Sequence, residues 1–271
     1  MASPPTDATD LCNGALLRFG DQVITTLTDS TTNNRERLCF HHYPRARDRT
    51  LEAFPWQEAL VRAAILAYTE PAATLTPGAT TGSAITFTAS VASFAATDVG
   101  KSLRGDGVAG QATIVGFTST TQVTADITQT FSSTAAIASG SWRLYNATPA
   151  WGEYAYSFVK PTGLLRVHRV KDRARYAVEG QVILSDTDSL NLLYITQLTD
   201  TTKYSPALAN AIEVLLAATL AEPITGSASK AKQFYDLWTV LLRQARGVSR
   251  LEGSPDALGP YPLVDVRSEG I

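Results

Sequence analysis

The chain has 271 residues, 23 basic against 25 acidic, a formal net charge of -2, and 44% hydrophobic with 18% charged residues. That length exceeds the roughly 100–200 residues of one ordinary core, so more than one folding unit is expected, and the composition excludes a disordered or fibrous protein. The near-neutral balance argues against a protein that grips nucleic acid by neutralising phosphates, though not against one that lets DNA pass by.

No apolar run in the sequence approaches the ~20 residues of a membrane span. Met1-Ala-Ser-Pro-Pro lacks the basic-then-apolar pattern of a secretory signal, so none is expected. Cys12 and Cys39 fit a reduced compartment in which each is a small buried hydrophobe.

With Thr6 or Asp7 as cap, Ala8, Leu11, Cys12, Ala15, Leu16 and Phe19 keep helical timing up to Gly20. Gln22 to Leu27 is a short extended run. Asp29 or Ser30 then opens a second helical region reaching about Phe54, in which Pro44 is predicted to kink or split the helix near Tyr43. After the Phe54-Pro55-Trp56 corner, Gln57 to Tyr68 reads either as helix, from its alanines and leucines, or as an edge strand beside the Tyr154 to Val159 run.

From about Ala73 to Thr148 the composition turns to Thr, Ser, Ala and Gly, with no Glu. Ile85/Phe87, Ile114, Val123/Ala125/Ile127 and Trp142/Leu144 sit in short β-type runs between glycine-containing turns, the pattern of a small all-β domain. Beyond it Tyr154, Tyr156 and Phe158 alternate, and Leu164 to Val170, Tyr176 to Leu184 and Leu190 to Leu198 are further strands, expected to form an antiparallel sheet. The Thr-rich stretch thus interrupts a helix-and-sheet domain, an insertion tolerated when its ends lie close together.

Two helices follow. The first has Ser205 as N-cap, Pro206 at its first position and Pro223 as its stop. Leu208, Ile212, Leu215 and Thr219 recur at three- and four-residue steps, while alanines keep the remaining surface small, so neighbours approach closely on several sides. In the second, Ser229 caps, Ala231, Phe234, Trp238, Leu241, Leu242 and Ala245 form an apolar stripe, and Gly247 ends the helix. Residues 248–271 carry no periodic pattern. Tyr261, Leu263 and Val264 are their apolar points, and the segment reads either as a frayed terminus or as a partner-binding arm that orders on docking.

The fold class expected is therefore α+β: a helical bundle of N- and C-terminal helices with a small antiparallel sheet (1–72 and 149–247), interrupted by an inserted all-β domain (73–148), with 248–271 as an extended C-terminal arm.

Several motifs look like chemistry. Gly105-Asp106-Gly107-Val108-Ala109-Gly110 matches the dinucleotide-binding glycine pattern, but that pattern works where a strand feeds a helix, and Gln111 to Thr118 reads as a strand, so a hairpin turn is expected. Arg104-Gly105-Asp106 is a three-letter adhesion sequence, too short to weigh alone. Gly100-Lys101-Ser102 resembles the end of a phosphate-binding loop whose upstream glycine is replaced by Ala95. Cys12, Cys39, His41 and His42 lack metal-ligand spacing, and His41 and His42 point to different helix faces. His168, between Val167 and Arg169, reads as a surface histidine, and no Gly-x-Ser-x-Gly elbow supports a triad. No catalytic residue, cofactor or metal is expected, and the chain reads as a non-enzyme.

The element order, with Leu11-Cys12-Asn13-Gly14-Ala15-Leu16 and Phe19-Gly20, then Tyr43-Pro44-Arg45-Ala46-Arg47-Asp48 leading to Phe54-Pro55-Trp56, resembles the tail tubular protein A family, the head-to-tail adaptors of short-tailed bacteriophages. Tyr156 to Pro161, Leu165-Arg166-Val167, Tyr176 to Gly180, Leu190 to Ile195 and Ala221 to Ser227 extend the resemblance, which covers about 8–70 and 149–252. The family begins a strand directly after the Pro-Trp pair with Asn-Phe-Ala, where this chain has Gln57-Glu58-Ala59; leaning on the family, 57–68 is taken as strand. The Thr-rich module is a second departure.

The resemblance implies a dodecameric ring between the portal protein of the capsid and the tail nozzle or tube, in a virion assembled in the host cytoplasm, with duplex DNA passing through unbound and no membrane involved. A cyclic ring needs two different faces of one subunit that fit each other, and helices with small or apolar second faces supply them. The alternative is a binding module whose Thr-rich domain recognises a carbohydrate or a surface protein; Phe87, Phe94, Phe117, Phe131 and Trp142 serve it if exposed, and its core if not.

Overall fold

In this computed structural model, residues 5, 7–30, 32–105, 110–147, 152–171 and 174–252 are described. Among them the fold is mixed α+β, with four α-helices and three antiparallel sheets. The chain divides into two compact units, 1–61 with 195–271 and 62–194. The expected insertion boundaries at 73 and 148 fall inside the second unit, which also takes in most strands that follow Tyr154.

The first unit is helical. α1 (Ala8–Leu17) is capped by Asp7, whose carboxylate accepts from the Asp10 N–H at 2.9 Å. Asn13 then pins the following loop, its amide bonding both the N–H and the C=O of Ile24 at 2.7 and 3.0 Å. α2 (Asn34–Ala53) starts later than expected, because Asn33 accepts from Arg35 N and Glu36 N and is the better cap, while Ser30 Oγ accepts from Asn33 N in the turn before it. Pro44 does not split α2. Pro44 and Phe40 both lie on the exposed side, so the Phe40 carbonyl that the proline deprives of a partner faces solvent.

α3 (Pro206–Thr225) opens as predicted, with Ser205 Oγ accepting from Leu208 N. It runs through Pro223 and stops at Gly226, which takes the left-handed cap at φ +68°. Packing explains the overrun: eleven of its side chains are buried, enough to outweigh the ~3 kcal/mol that a helical proline costs. α1, α2 and α4 (Ala228–Glu252) all pack on α3. Contrary to the sequence expectation, α3 is by length and composition apolar enough to cross a membrane, yet these helices enclose it as the centre of their core.

α4 is capped by Ser227, which accepts from Lys230 N, rather than by Ser229, and continues past Gly247 to Glu252. A glycine costs only about 1 kcal/mol inside a helix, and Arg250, Leu251 and Glu252 favour continuation. The arm expected from 248 therefore begins no earlier than 253.

The second unit is β. The strand reading of 57–68 holds only from Leu60, since Gln57–Ala59 form a 3-10 turn. β1 (Leu60–Leu66) is an edge strand, but its neighbour is β13 (Ser189–Thr196) in the order β1-β13-β10, with β10 at Leu164–Val170, and not the Tyr154 to Val159 run. Tyr176 to Leu184, expected as one strand, is a hairpin of β11 (Tyr176–Glu179) and β12 (Val182–Ser185), turned at Gly180 with φ +55°. β12 also pairs with β9 (Tyr156–Val159), so the strands expected in one sheet are divided between two.

The Thr-rich residues form the seven-stranded sheet β2-β8-β5-β6-β7-β4-β3. Its strands are β2 (Tyr68–Thr69), β3 (Leu75–Pro77), β4 (Ile85–Ala89), β5 (Ser102–Gly105), β6 (Gln111–Ser119), β7 (Gln122–Gln129) and β8 (Trp142–Tyr145). The core lies on one face, where Phe87, Phe94, Phe131, Leu103, Ile114 and Trp142 meet. Trp142 is fully buried and its Nε1 donates to Ala73 O at 2.7 Å.

Candidate interaction surfaces

Of the residues expected to bind a partner, Tyr261, Leu263 and Val264 lie outside the described residues. The motifs that looked like chemistry have structural work instead. Gly105 ends β5 and Gly110 precedes β6, two antiparallel strands, with the Gly105 N–H donating to Gly110 O. A Cβ at Gly110 would strike the Phe131 ring, so packing requires that glycine. Lys101 of the phosphate-loop look-alike is paired with Asp98 at 2.8 Å.

Cys12 and Cys39 are both buried, and interaction with Cys39, together with burial, pushes the Cys12 thiol well above its usual range. His41 bonds the Asp29 carboxylate at 3.1 Å. Burial holds both His42 and His168 below the ordinary histidine value, helped at His42 by Arg45 and His41 and at His168 by Arg166 and Arg169. Among the described residues no group of three or more His, Cys, Asp or Glu side chains is placed to hold a metal.

The residues that carry the family resemblance serve architecture. Gly14 lies against the Glu213 carboxylate of α3, and Arg18, which caps α1, bonds Glu213 at 2.9 Å and Asn210 at 2.6 Å. Tyr43 meets Tyr204, whose hydroxyl donates to Leu198 O at 2.8 Å. Burial and this contact push Tyr43 up, out of reach of ordinary titration. Arg47 stays charged against its burial because Asp48 lies 2.7 Å away. Trp56 donates to Thr50 O and stacks edge-on against Phe54.

Two surfaces among the described residues bear on function. In the helical unit, α4 packs its Trp238 and Leu242 stripe inward, Tyr235 flanks Trp238, and Leu237 and Val240 stay about 40% exposed on its outer side. Arg49 lies over the Tyr235 and Trp238 rings and donates to the Tyr235 hydroxyl. Beside this, a cavity of about 510 Å³ is lined by Phe54, Trp56, Glu58, Pro206, Leu241 and Ala245 among others. Glu58 also accepts from Ser205 N, tying the 3-10 turn to the start of α3. Most alanines of α3 (Ala209, Ala211, Ala217, Ala218 and Ala221) are buried inside the chain, whereas Ala207 is exposed.

No protein-family model and no curated protein matches this chain.

In the β unit, the aromatics named for surface recognition divide: Phe87, Phe94, Phe131 and Trp142 are core, and Phe117 alone among them is exposed. The opposite face of the sheet carries a cluster that the sequence reading passed over. Register places Tyr68 beside Tyr145, Tyr145 beside Ser102 and Arg143 beside Arg104. The Arg104 guanidinium lies 4.3 Å from the Tyr145 ring centroid and 5.7 Å from that of Tyr156, and Arg143 lies 4.7 Å from that of Tyr68 while bonding Glu70 at 2.9 Å. The signal was present in the alternation of Trp142-Arg143-Leu144-Tyr145, which sends Trp142 and Leu144 to the core and Arg143 and Tyr145 to the other face. Arg104, read in the sequence as part of an adhesion triplet, is thus committed to two tyrosines.

Proposed function

We propose that this chain is a structural head-to-tail adaptor of a tailed bacteriophage, forming a ring below the portal through which duplex DNA passes and onto which the tail nozzle or tube assembles. In this reading the protein is a virion component without catalytic activity, assembled in the host cytoplasm. A helical bundle with a small antiparallel sheet is its body, the Thr-rich all-β domain is an insertion in it, and Tyr261, Leu263 and Val264 of the C-terminal arm engage a partner. Copies of the chain form a dodecameric ring.

The observation that carries the proposal is the outer face of α4, where Leu237 and Val240, three residues apart, are left exposed by a helix that already buries a separate stripe. Apolar side chains grouped on an otherwise charged helix suit a heterologous contact with the next copy. Two further observations support it. The residues that carry the resemblance sit at helix contacts, caps and corners, as a shared architecture requires, and a net charge of -2 suits a channel that does not retain phosphates.

Electron microscopy of the purified chain mixed with a cognate portal protein tests the proposal. A ring seated on the portal is expected; a lasting monomer that leaves the portal bare overturns it. Absence of a ring without portal does not, because the portal can act as template.

A second reading, recognition of a carbohydrate or surface protein by the Thr-rich domain, is favoured by the arginine and tyrosine face of its sheet.

A further inference from the structure

We propose that in the unassembled chain Tyr261, on the segment that follows α4, docks into the cavity beside Phe54 and Trp56, so that the chain covers this cavity with its own C-terminal arm. The contact lies within one chain and is independent of the adaptor assignment. Where the arm engages a partner, it first leaves this site.

The cavity is built by the helical unit alone and opens to solvent. Phe54 and Trp56, 5% and 4% exposed, are the most deeply buried of its lining side chains. Exposed Gln57, Pro206, Ala207 and Gln244 stand at its mouth, with half-buried Leu241 and Ala245 on the α4 side. Its volume of about 510 Å³ is that of a ligand-sized site, and an apolar, aromatic floor open to water is unfavourable until something covers it. Among the described lining residues Glu58 alone carries charge, so the cavity suits an uncharged occupant.

Position and chemistry both select the arm as that occupant. α4 lines the cavity at Leu241, Gln244 and Ala245 and runs on to Glu252, about 10 Å of further helix. From Gly253 to Tyr261 an extended chain spans up to about 30 Å, so Tyr261 returns to the cavity with slack. Gly253 and Pro255 come directly after the helix and suit a reversal of direction. Ala257 to Val264 is the longest uncharged run of 253–271 and stands between Asp256 and Asp265, which stay in water when the run between them docks. At its centre, Pro260-Tyr261-Pro262 favours the extended, proline-stiffened form that aromatic-lined grooves accept at low entropic cost. The tyrosine ring then covers the aromatic floor, and its hydroxyl finds acceptors at the mouth in Glu58 and Gln244. A tether this short holds the arm at roughly millimolar effective concentration, which favours it over the arm of a second copy in dilute solution.

The test is photo-crosslinking of the full chain with Tyr261 replaced by p-benzoylphenylalanine, using a mixture of isotopically heavy and light protein. Crosslinks should join position 261 to 54–58, 206–210 or 241–245, and the joined peptides should be all heavy or all light. Mixed heavy–light peptides would make a second copy the occupant and overturn the proposal, as would crosslinks elsewhere or none. Hydroxyl-radical footprinting gives an independent readout, and substitutions in the arm leave the helical core untouched. In Tyr261→Ser combined with Leu263→Ser, Pro206 and Leu241 should be oxidised more than about twofold faster than in the native chain, because a tethered segment at that concentration is mostly docked. Equal rates in the two proteins overturn the proposal. A ring that forms or fails on the portal leaves this contact unaffected, so the two readings fail separately.

Discussion

Asp21 shows how one side chain links the sequence to stability. Arg35 reaches it with two hydrogen bonds of 2.8 Å, at the point where the loop after α1 meets the start of α2. The Arg35 contact, with the Gln22 N–H adding to it, holds the Asp21 carboxyl below its ordinary value. Its contribution is therefore fully present above the unfolded carboxylate value of about 4 and is lost as pH falls through the lower folded value. Denaturant unfolding between pH 5 and pH 3 should show a steeper acid loss for the native chain than for Asp21→Asn; parallel curves would mean that the pair contributes nothing. Trp142 works by volume and by its one donor. Trp142→Phe strips Ala73 O of its partner and leaves a void beside Phe94, and should destabilise the β unit by about 2–4 kcal/mol in chemical denaturation.

At the scale of elements, α3 and α4 divide two tasks. α3 buries eleven of its side chains and runs through a proline because its neighbours hold it, so substitutions at those eleven positions act on folding. α4 is amphipathic with a second, exposed group of apolar residues, so substitutions on its outer side leave the fold alone. Leu237→Asp combined with Val240→Asp should change unfolding free energy by less than about 1 kcal/mol. The same variant should fail to form a ring on the portal, as read by electron microscopy. A variant that still assembles normally would remove α4 from the interface. The sheets divide in the same way: Leu103, Trp142 and Leu144 make a core, while Ser102, Arg104, Arg143 and Tyr145 on the same strands face away from it.

At the scale of the whole molecule, each compact unit has its own buried centre, the helical one around α3 and the β one around Trp142 and Phe87. Thermal unfolding of the full chain should accordingly show two transitions, with the near-UV signal and the helical far-UV signal lost at different temperatures. A single coincident transition would contradict separate cores. Much of this organisation is legible in the sequence, because the forces that set it act within a few residues. Asp7, Ser205 and Pro206 start helices as written, the alternation from Ile85 to Leu144 marks strands that exist, and the strands that Gly105 ends and Gly110 precedes pair antiparallel, while residues 106–109 lie outside the described residues. Signals that compete with packing misled: Pro223 and Gly247 are local stops that burial and helix propensity overrode. What depended on residues far apart was decided by tertiary structure alone. No local pattern sets β13 rather than β9 beside β1, brings Cys12 to Cys39, buries most alanines of α3, or lays Arg104 over Tyr145 and Tyr156. Such contacts gain their energy only when distant segments meet, so propensity and periodicity, which are sums over neighbours, carry no record of them.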